Sequence, residues 1–256
     1  MPPVRPELDF PVQNPLPAHP PRFDAAILDL DGTMVDTLGD FVVALNLMLD
    51  DLALSRVQAG QVRTLVGKGS EHLILSVLNL VLEPVDRAQP AIKNIADECA
   101  ANALFDQAWA RYQHHYQAIN GQHATVYPGV VEGLDALRAR GLRLGCLTNK
   151  PTAFARTLLQ VKGLAGYFGP VFGGDAFERK KPDPLPLRKT CEALGTAPAR
   201  TLMVGDSSND ALAARAAGCP VLLVTYGYNH GQPAREVDAD AHLDSLAELP
   251  RIVALG

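Results

Sequence analysis

Four short segments of the 256-residue chain carry the side chains that could do chemistry. They are Asp29-Leu30-Asp31-Gly32-Thr33, Thr148-Asn149-Lys150, Lys181-Pro182-Asp183-Pro184 and Gly205-Asp206-Ser207-Ser208-Asn209-Asp210. Asp29, Asp31, Asp206 and Asp210 are carboxylates. Gathered in one place they would repel and raise one another's pKa unless a cation sat among them. Hard oxygen ligands suit Mg²⁺, which takes one or two carboxylates, waters and a substrate phosphate. Thr148, Asn149 and Lys181 supply donors and a positive charge, as phosphoryl oxygens require. A metal, a nucleophile and donors together describe phosphoryl transfer.

These segments lie far apart in the chain, so a fold must bring them together. Each ends or follows an apolar run. Phe23 to Leu28, Leu142 to Leu147, Val171-Phe172, Thr201 to Val204 and Val221 to Val224 read as strands. Helical spacing covers Val130 to Arg140, Thr152 to Val161, Pro184 to Leu194 and Asn209 to Ala217. Alternation of this kind predicts an α/β fold: a Rossmann-like parallel sheet with helices on both faces. Its strand ends share one edge, where the four segments can converge.

Between the first strand and the rest lies a different stretch. From about Ser55 to Ile119 strand signals are almost absent, and a block of helices is expected from about Leu38 to about Gly121. Asp40 to Leu54, Glu71 to Leu82 and Ile92 to Ile119 have helical spacing. The expected organisation is an α/β core of 23–37 and 124–256, with an all-helical cap, 38–123, inserted over the carboxyl edge. Residues 1–22, rich in proline, are expected to form a disordered tail.

Bulk properties exclude several classes. The net charge of -5 and the absence of a basic stripe argue against a nucleic-acid partner. No apolar run is long enough to span a membrane, and the proline-rich start lacks the continuous apolar stretch of a secretory signal. A cytoplasmic protein is expected, its oligomeric state unreadable. Cys99, Cys146, Cys191 and Cys219 are scattered without a CxxC pair, and read as reduced core residues.

The four segments, in this order, resemble the signature motifs of the haloacid dehalogenase-like superfamily. The phosphatase branch has two aspartates in its first motif, as here. The resemblance runs from about Phe23 to the C-terminal region. It implies that Asp29 attacks phosphorus and that Asp31 is the general acid and base. Mg²⁺ would be held by Asp29, the Asp31 carbonyl and Asp206, with Asp210 a further carboxylate on the metal side or behind it. Thr148 and Asn149 would bind phosphate oxygens and Lys181 would neutralise charge. Further stretches, Thr64 to Ser70, Tyr127 to Val130 and Leu223 to Asn229, are similar to bacterial phosphoglycolate phosphatases. That implies a small anionic ester as substrate, 2-phosphoglycolate first, with another phosphate monoester or a phosphomutase reaction as alternatives. Backbone amides at Gly67 and Gly69 and the Lys68 ammonium would suit its carboxylate, although the glycines fit an ordinary interhelical loop too.

Other residues are read more plainly. The proline spacing favours Lys181 over Lys180 as the functional lysine, and Lys150 reads as a solvated side chain. Adjacent on a helix, His114 and His115 do not share a face and make a poor chelate. Trp109, Tyr112 and Tyr116 form a stripe that suits packing between helices.

Overall fold

The computed structural model of the chain describes residues 23–82 and 90–253. The expectation for 1–22 falls outside them. The first strand, β1 (Ala25–Leu28), is buried at every position. Ala26 and Leu28 face one apolar cluster, and Ala25 and Ile27 face another. A strand covered on both sides needs such an uninterrupted apolar run.

After β1 the chain passes through β2 (Val35–Asp36) into four helices, α1 (Leu38–Asp51), α2 (Ala59–Arg63), α3 (Ser70–Leu82) and α4 (Pro90–Ile119). It returns through β3 (Thr125–Val126). Then follow α5 (Val130–Ala139), β4 (Arg143–Leu147), α6 (Thr152–Val161), β5 (Val171–Phe172), α7 (Leu185–Leu194) and β6 (Thr201–Gly205). The chain finishes with α8 (Ser208–Ala217), β7 (Val221–Val224), β8 (Ala241–Leu243) and α9 (Leu249–Val253).

Six strands make one parallel sheet in the order β5-β4-β1-β6-β7-β8. Leu28, the last residue of β1, lies opposite Cys146 on one side and Val204 on the other. The Asp29 N–H carries the ladder one step further, donating to the Val204 carbonyl at 2.9 Å. The order reverses beside β1, the place where open sheets of this kind bind ligands. Leu134 of α5 and Leu158 of α6 pack on one face. Leu187 of α7 and Ala211 and Ala214 of α8 pack on the other.

The inserted helices bury a core of their own. Phe41, Leu45, Met48 and Leu49 of α1 meet Leu73, Ile74, Val77 and Leu78 of α3. Tyr112 and Tyr116 of α4 are fully buried there, and Trp109 packs against the same cluster. That aromatic stripe is packing, as its spacing suggested. His114 is exposed, and His115 pairs with Asp51 at 2.8 Å.

Several features go beyond what the sequence predicts. β2 and β3 pair antiparallel, Val35 with Val126 and Asp36 with Thr125, so the insert leaves and re-enters the core at one place. Just inside, Asp40 is wholly buried. Its carboxylate accepts the Gly121 N–H at 2.6 Å and the His123 N–H at 2.7 Å, tying the start of α1 to the end of α4. The third unforeseen strand, β8, is three residues long. The first helix begins at Leu38 rather than Asp40. Cys146, Cys191 and Cys219 are buried free thiols, the last two with sulfurs 4.0 Å apart, and the side chain of Cys99 is outside the described residues. Among the described residues no helix is long and apolar enough to cross a membrane.

Replacing Asp40 by Ala strands the buried Gly121 N–H and removes the acceptor of the part-buried His123 N–H. Asp40→Ala is expected to lower unfolding free energy by about 2–4 kcal/mol, because hydrogen bonds to a charged acceptor are lost and donors are left unpaired. Urea denaturation measures this, and a loss below about 0.5 kcal/mol, the usual range for ordinary surface positions, would contradict the role given to Asp40.

Candidate active site

Asp29 follows β1, and Asp206 follows the adjacent β6. Between them the chain must turn away from the strand. It does so through Gly32, whose φ is +83° and where a Cβ would stand 2.5 Å from Asp206 Oδ2. Such a conformation and so close an approach both favour glycine. Thr33 Oγ1 donates to Asp206 Oδ1 at 3.1 Å, and the Tyr228 N–H donates to Oδ2 at 2.7 Å. The two loops are thereby fixed to one carboxylate.

Lys181 reaches this pair from the loop before α7. Its Nζ is 3.0 Å from Asp29 Oδ1 and 2.7 Å from Asp210 Oδ1, and donates to the Leu147 carbonyl at 2.7 Å. Burial works against the ammonium, but Asp210 and Asp29 outweigh it and hold its pKa above the ordinary value. Asp210 is at the third position of α8. Its Oδ2 accepts from the Ser207 hydroxyl at 2.9 Å and the Ser207 N–H at 3.2 Å. The residue that caps α8 is Ser207.

Asp29, Asp206 and Asp210 each place an oxygen within 4.8 Å of the others, and all three are buried. Burial pushes the Asp29 carboxyl well above the usual range; Lys181 opposes this, while Asp210, Asp206 and Asp31 add to it. Asp206 is pushed up to about 7, by burial first and by Asp210 next. One ammonium against three carboxylates leaves two negative charges. This donor set is hard anionic oxygen alone, and it fits a divalent cation of the Mg²⁺ kind. The Asp31 side chain is outside the cluster, so its expected part in holding a metal rests on its carbonyl.

The cleft above these residues holds about 500 Å³ of unfilled space, its solvent-open part included. Thr148, Asn149, Ser207 and Asn229 line it from the core, and Phe41, Val66, Gly67, Gly69, Ser70 and Leu73 line it from the inserted helices. Two amides hold the inserted loop. Asn149 Nδ2 and Asn209 Nδ2 each donate to the Gly67 carbonyl at 3.1 Å. Asn149 Nδ2 also donates to the Lys181 carbonyl at 2.9 Å. At the rim Lys180 pairs with Glu71 of α3 at 3.0 Å.

A model of the haloacid dehalogenase-like hydrolase family matches residues 23–218. The chain belongs to that family. Its curated relatives include a phosphoglycolate phosphatase of Thiobacillus denitrificans, 42% identical over 92% of this chain and 98% of that one. A plasmid-borne phosphoglycolate phosphatase of Cupriavidus necator is 43% identical over 90% and 92%. A solved structure described as a predicted phosphoglycolate phosphatase from Haemophilus somnus superposes with a TM-score of 0.80 at 31% identity, covering 90% of this chain and 98% of that one. The class expected from the motifs, a phosphoric monoester hydrolase, is borne out.

Within the family's four motifs, the structure brings Asp29, Asp206, Asp210 and Lys181 together, with Thr148 and Asn149 on the same cleft wall. Lys181 is the lysine within the carboxylate cluster, and Lys180 points to the rim. Lys150 corrects the reading. It is not solvated but buried, with its Nζ 2.8 Å from Asp31 Oδ1 and over the rings of Phe41 and Tyr116 at 4.6 and 4.8 Å. Nothing in a Thr-Asn-Lys segment marks that burial; the aromatic rings come from α1 and α4. Lys68 is exposed, while Gly67 and Gly69 beside it line the cleft.

A divalent cation should stabilise this family member. At a concentration one hundred times its dissociation constant the gain is about 2.7 kcal/mol, or roughly 5–10 °C in Tm for a chain of this size. Thermal unfolding with Mg²⁺ and with a chelator measures it. Asp206→Asn should remove most of the shift, and an undiminished shift in that variant would place the cation elsewhere.

Proposed function

We propose that this chain is a Mg²⁺-dependent phosphatase that hydrolyses 2-phosphoglycolate to glycolate and phosphate through an aspartyl-phosphate. The observation that carries the reading is the buried Asp29 carboxylate, 3.0 Å from Lys181 Nζ and facing the cleft, with Asp31 two residues on. The names of its relatives support the substrate.

An Asp29 oxygen attacks phosphorus, and the bond from phosphorus to the ester oxygen breaks. Asp31 gives its proton to the departing alkoxide, which leaves as glycolate. Asp31 then takes a proton from water, and that water attacks the same phosphorus. The acyl-phosphate bond breaks and Asp29 is restored. Lys181 balances charge on Asp29 throughout. Asp29, Asp206 and the Asp31 carbonyl would hold Mg²⁺. Asp210, behind them, takes the Lys181 ammonium on Oδ1 and the Ser207 hydroxyl and N–H on Oδ2, and so holds Lys181 and the turn at Ser207. The Thr148 hydroxyl and the backbone amides of its loop receive phosphate oxygens, while the Asn149 amide positions the Gly67 loop. The ion, when bound, supplies positive charge to the phosphoryl oxygens. Residues 38–123 act as the cap, which keeps stray water from the intermediate.

Phosphate release from a panel of small esters tests the reading. A strong preference for 2-phosphoglycolate, lost on chelation, is the expected result; a preference for sugar phosphates would remove the substrate assignment. Asp29→Asn should form no phosphoenzyme while keeping the native circular dichroism. Asp31→Asn should slow both formation and breakdown of the intermediate by about 10²–10⁴-fold, the usual worth of a positioned acid or base. Unchanged rates for both steps would exclude it from that role.

A further inference from the structure

Lys150 has no part in the chemistry described above, yet the fold buries it in the wall of the cleft. Lys181 is already committed to Asp29, Asp210 and the Leu147 carbonyl. Among the described residues that line the cleft, Lys150 is the one cation. Its side chain is 2% exposed. Burying an ammonium is costly unless partners replace water. Here the partners are Asp31 Oδ1 at 2.8 Å and the faces of Phe41 and Tyr116 at 4.6 and 4.8 Å. The head group comes from the loop after β4, and the aromatic wall comes from α1 and α4. Both rings leave it fixed and dehydrated, which strengthens any charge it meets.

Its location relative to the reaction is informative. Asp31 is the group that meets the ester oxygen, and Lys150 is one hydrogen bond beyond it. In a two-carbon ester the carboxylate carbon is two bonds from that same oxygen. A carboxylate there arrives at the ammonium as the ester oxygen arrives at Asp31. The start of α3 at Ser70 also lines the cleft and adds a field of the same sign.

We infer that Lys150 is the receptor for the carboxylate of the substrate and sets the selectivity for small esters carrying a second anion next to the phosphate. This rests on the phosphatase reading proposed above. It moves the recognition of the carboxylate from the exposed Lys68 to a buried core lysine. Esters with a neutral group at that position leave the ammonium with Asp31 alone and gain nothing from it.

The test compares kcat/KM for 2-phosphoglycolate with that for ethyl phosphate, in the wild type and in Lys150→Met. The wild type should favour 2-phosphoglycolate. In Lys150→Met the ratio of the two should fall by about 10–100-fold, the usual scale of one charge-assisted hydrogen bond. A preference unchanged in Lys150→Met would overturn the receptor while leaving the substrate standing. No preference in the wild type would overturn the carboxylate substrate itself, and the receptor with it. A second measurement does not depend on the folding of that variant: a crystal structure of Asp29→Asn with 2-phosphoglycolate bound. A carboxylate oxygen within hydrogen-bond distance of Lys150 Nζ is the expected result. A carboxylate held elsewhere, with Lys150 still on Asp31 alone, would overturn the inference.

Discussion

Lys181 stands between Asp29 and Asp210 with its head group out of water, and its surroundings are arranged to keep it there. An isolated ammonium at that depth would lose its charge, and isolated carboxylates would take up protons. Together they compensate one another, but only if three loops hold their positions closely. The parallel register supplies this. Because β1 lies between β4 and β6, Asp29, Thr148 and Asp206 leave the sheet side by side. α8 then turns Asp210 back beneath the site, where it accepts from the Ser207 hydroxyl and two N–H groups as well as from Lys181.

Residual negative charge follows from the same arrangement. Burial raises Asp29 and Asp206 above the ordinary carboxylate range, and neighbouring carboxylates add to the effect. Such a site demands a cation more than it demands a proton donor. Covering it with a helical layer increases that demand, since less water is left to screen the charges. The layer is in turn held by polar contacts to the core: two amides on the Gly67 carbonyl, and Arg63 on the carbonyls of Tyr226 and Gly227.

Much of this was legible in the sequence because it depends on periodicity and on order. A buried parallel strand must be apolar throughout, so β1, β4, β6 and β7 announced themselves, and their ends marked the site. Contacts made across the chain were not legible. β2 and β3 are two residues each, and their signal is in pairing rather than composition. Asp40 looks like any acidic residue in a first helical turn until Gly121 and His123 are seen to donate to it. The burial of Lys150 is hidden for the same reason, since the rings that dehydrate it are 109 and 34 residues away in the chain.

The antiparallel pairing of Val35 with Val126 and Asp36 with Thr125 has an evolutionary consequence. Chain segments that depart and return through neighbouring backbone can be lengthened, shortened or exchanged without disturbing the sheet beneath, because the core sees only two adjacent ends. Descent within such a scaffold can therefore replace the lid while inheriting the hydrolytic apparatus intact. In this chain the exchange has a constraint. Any replacement lid must again bring an aromatic enclosure to the core's own lysine, or leave a dehydrated charge with nothing to face.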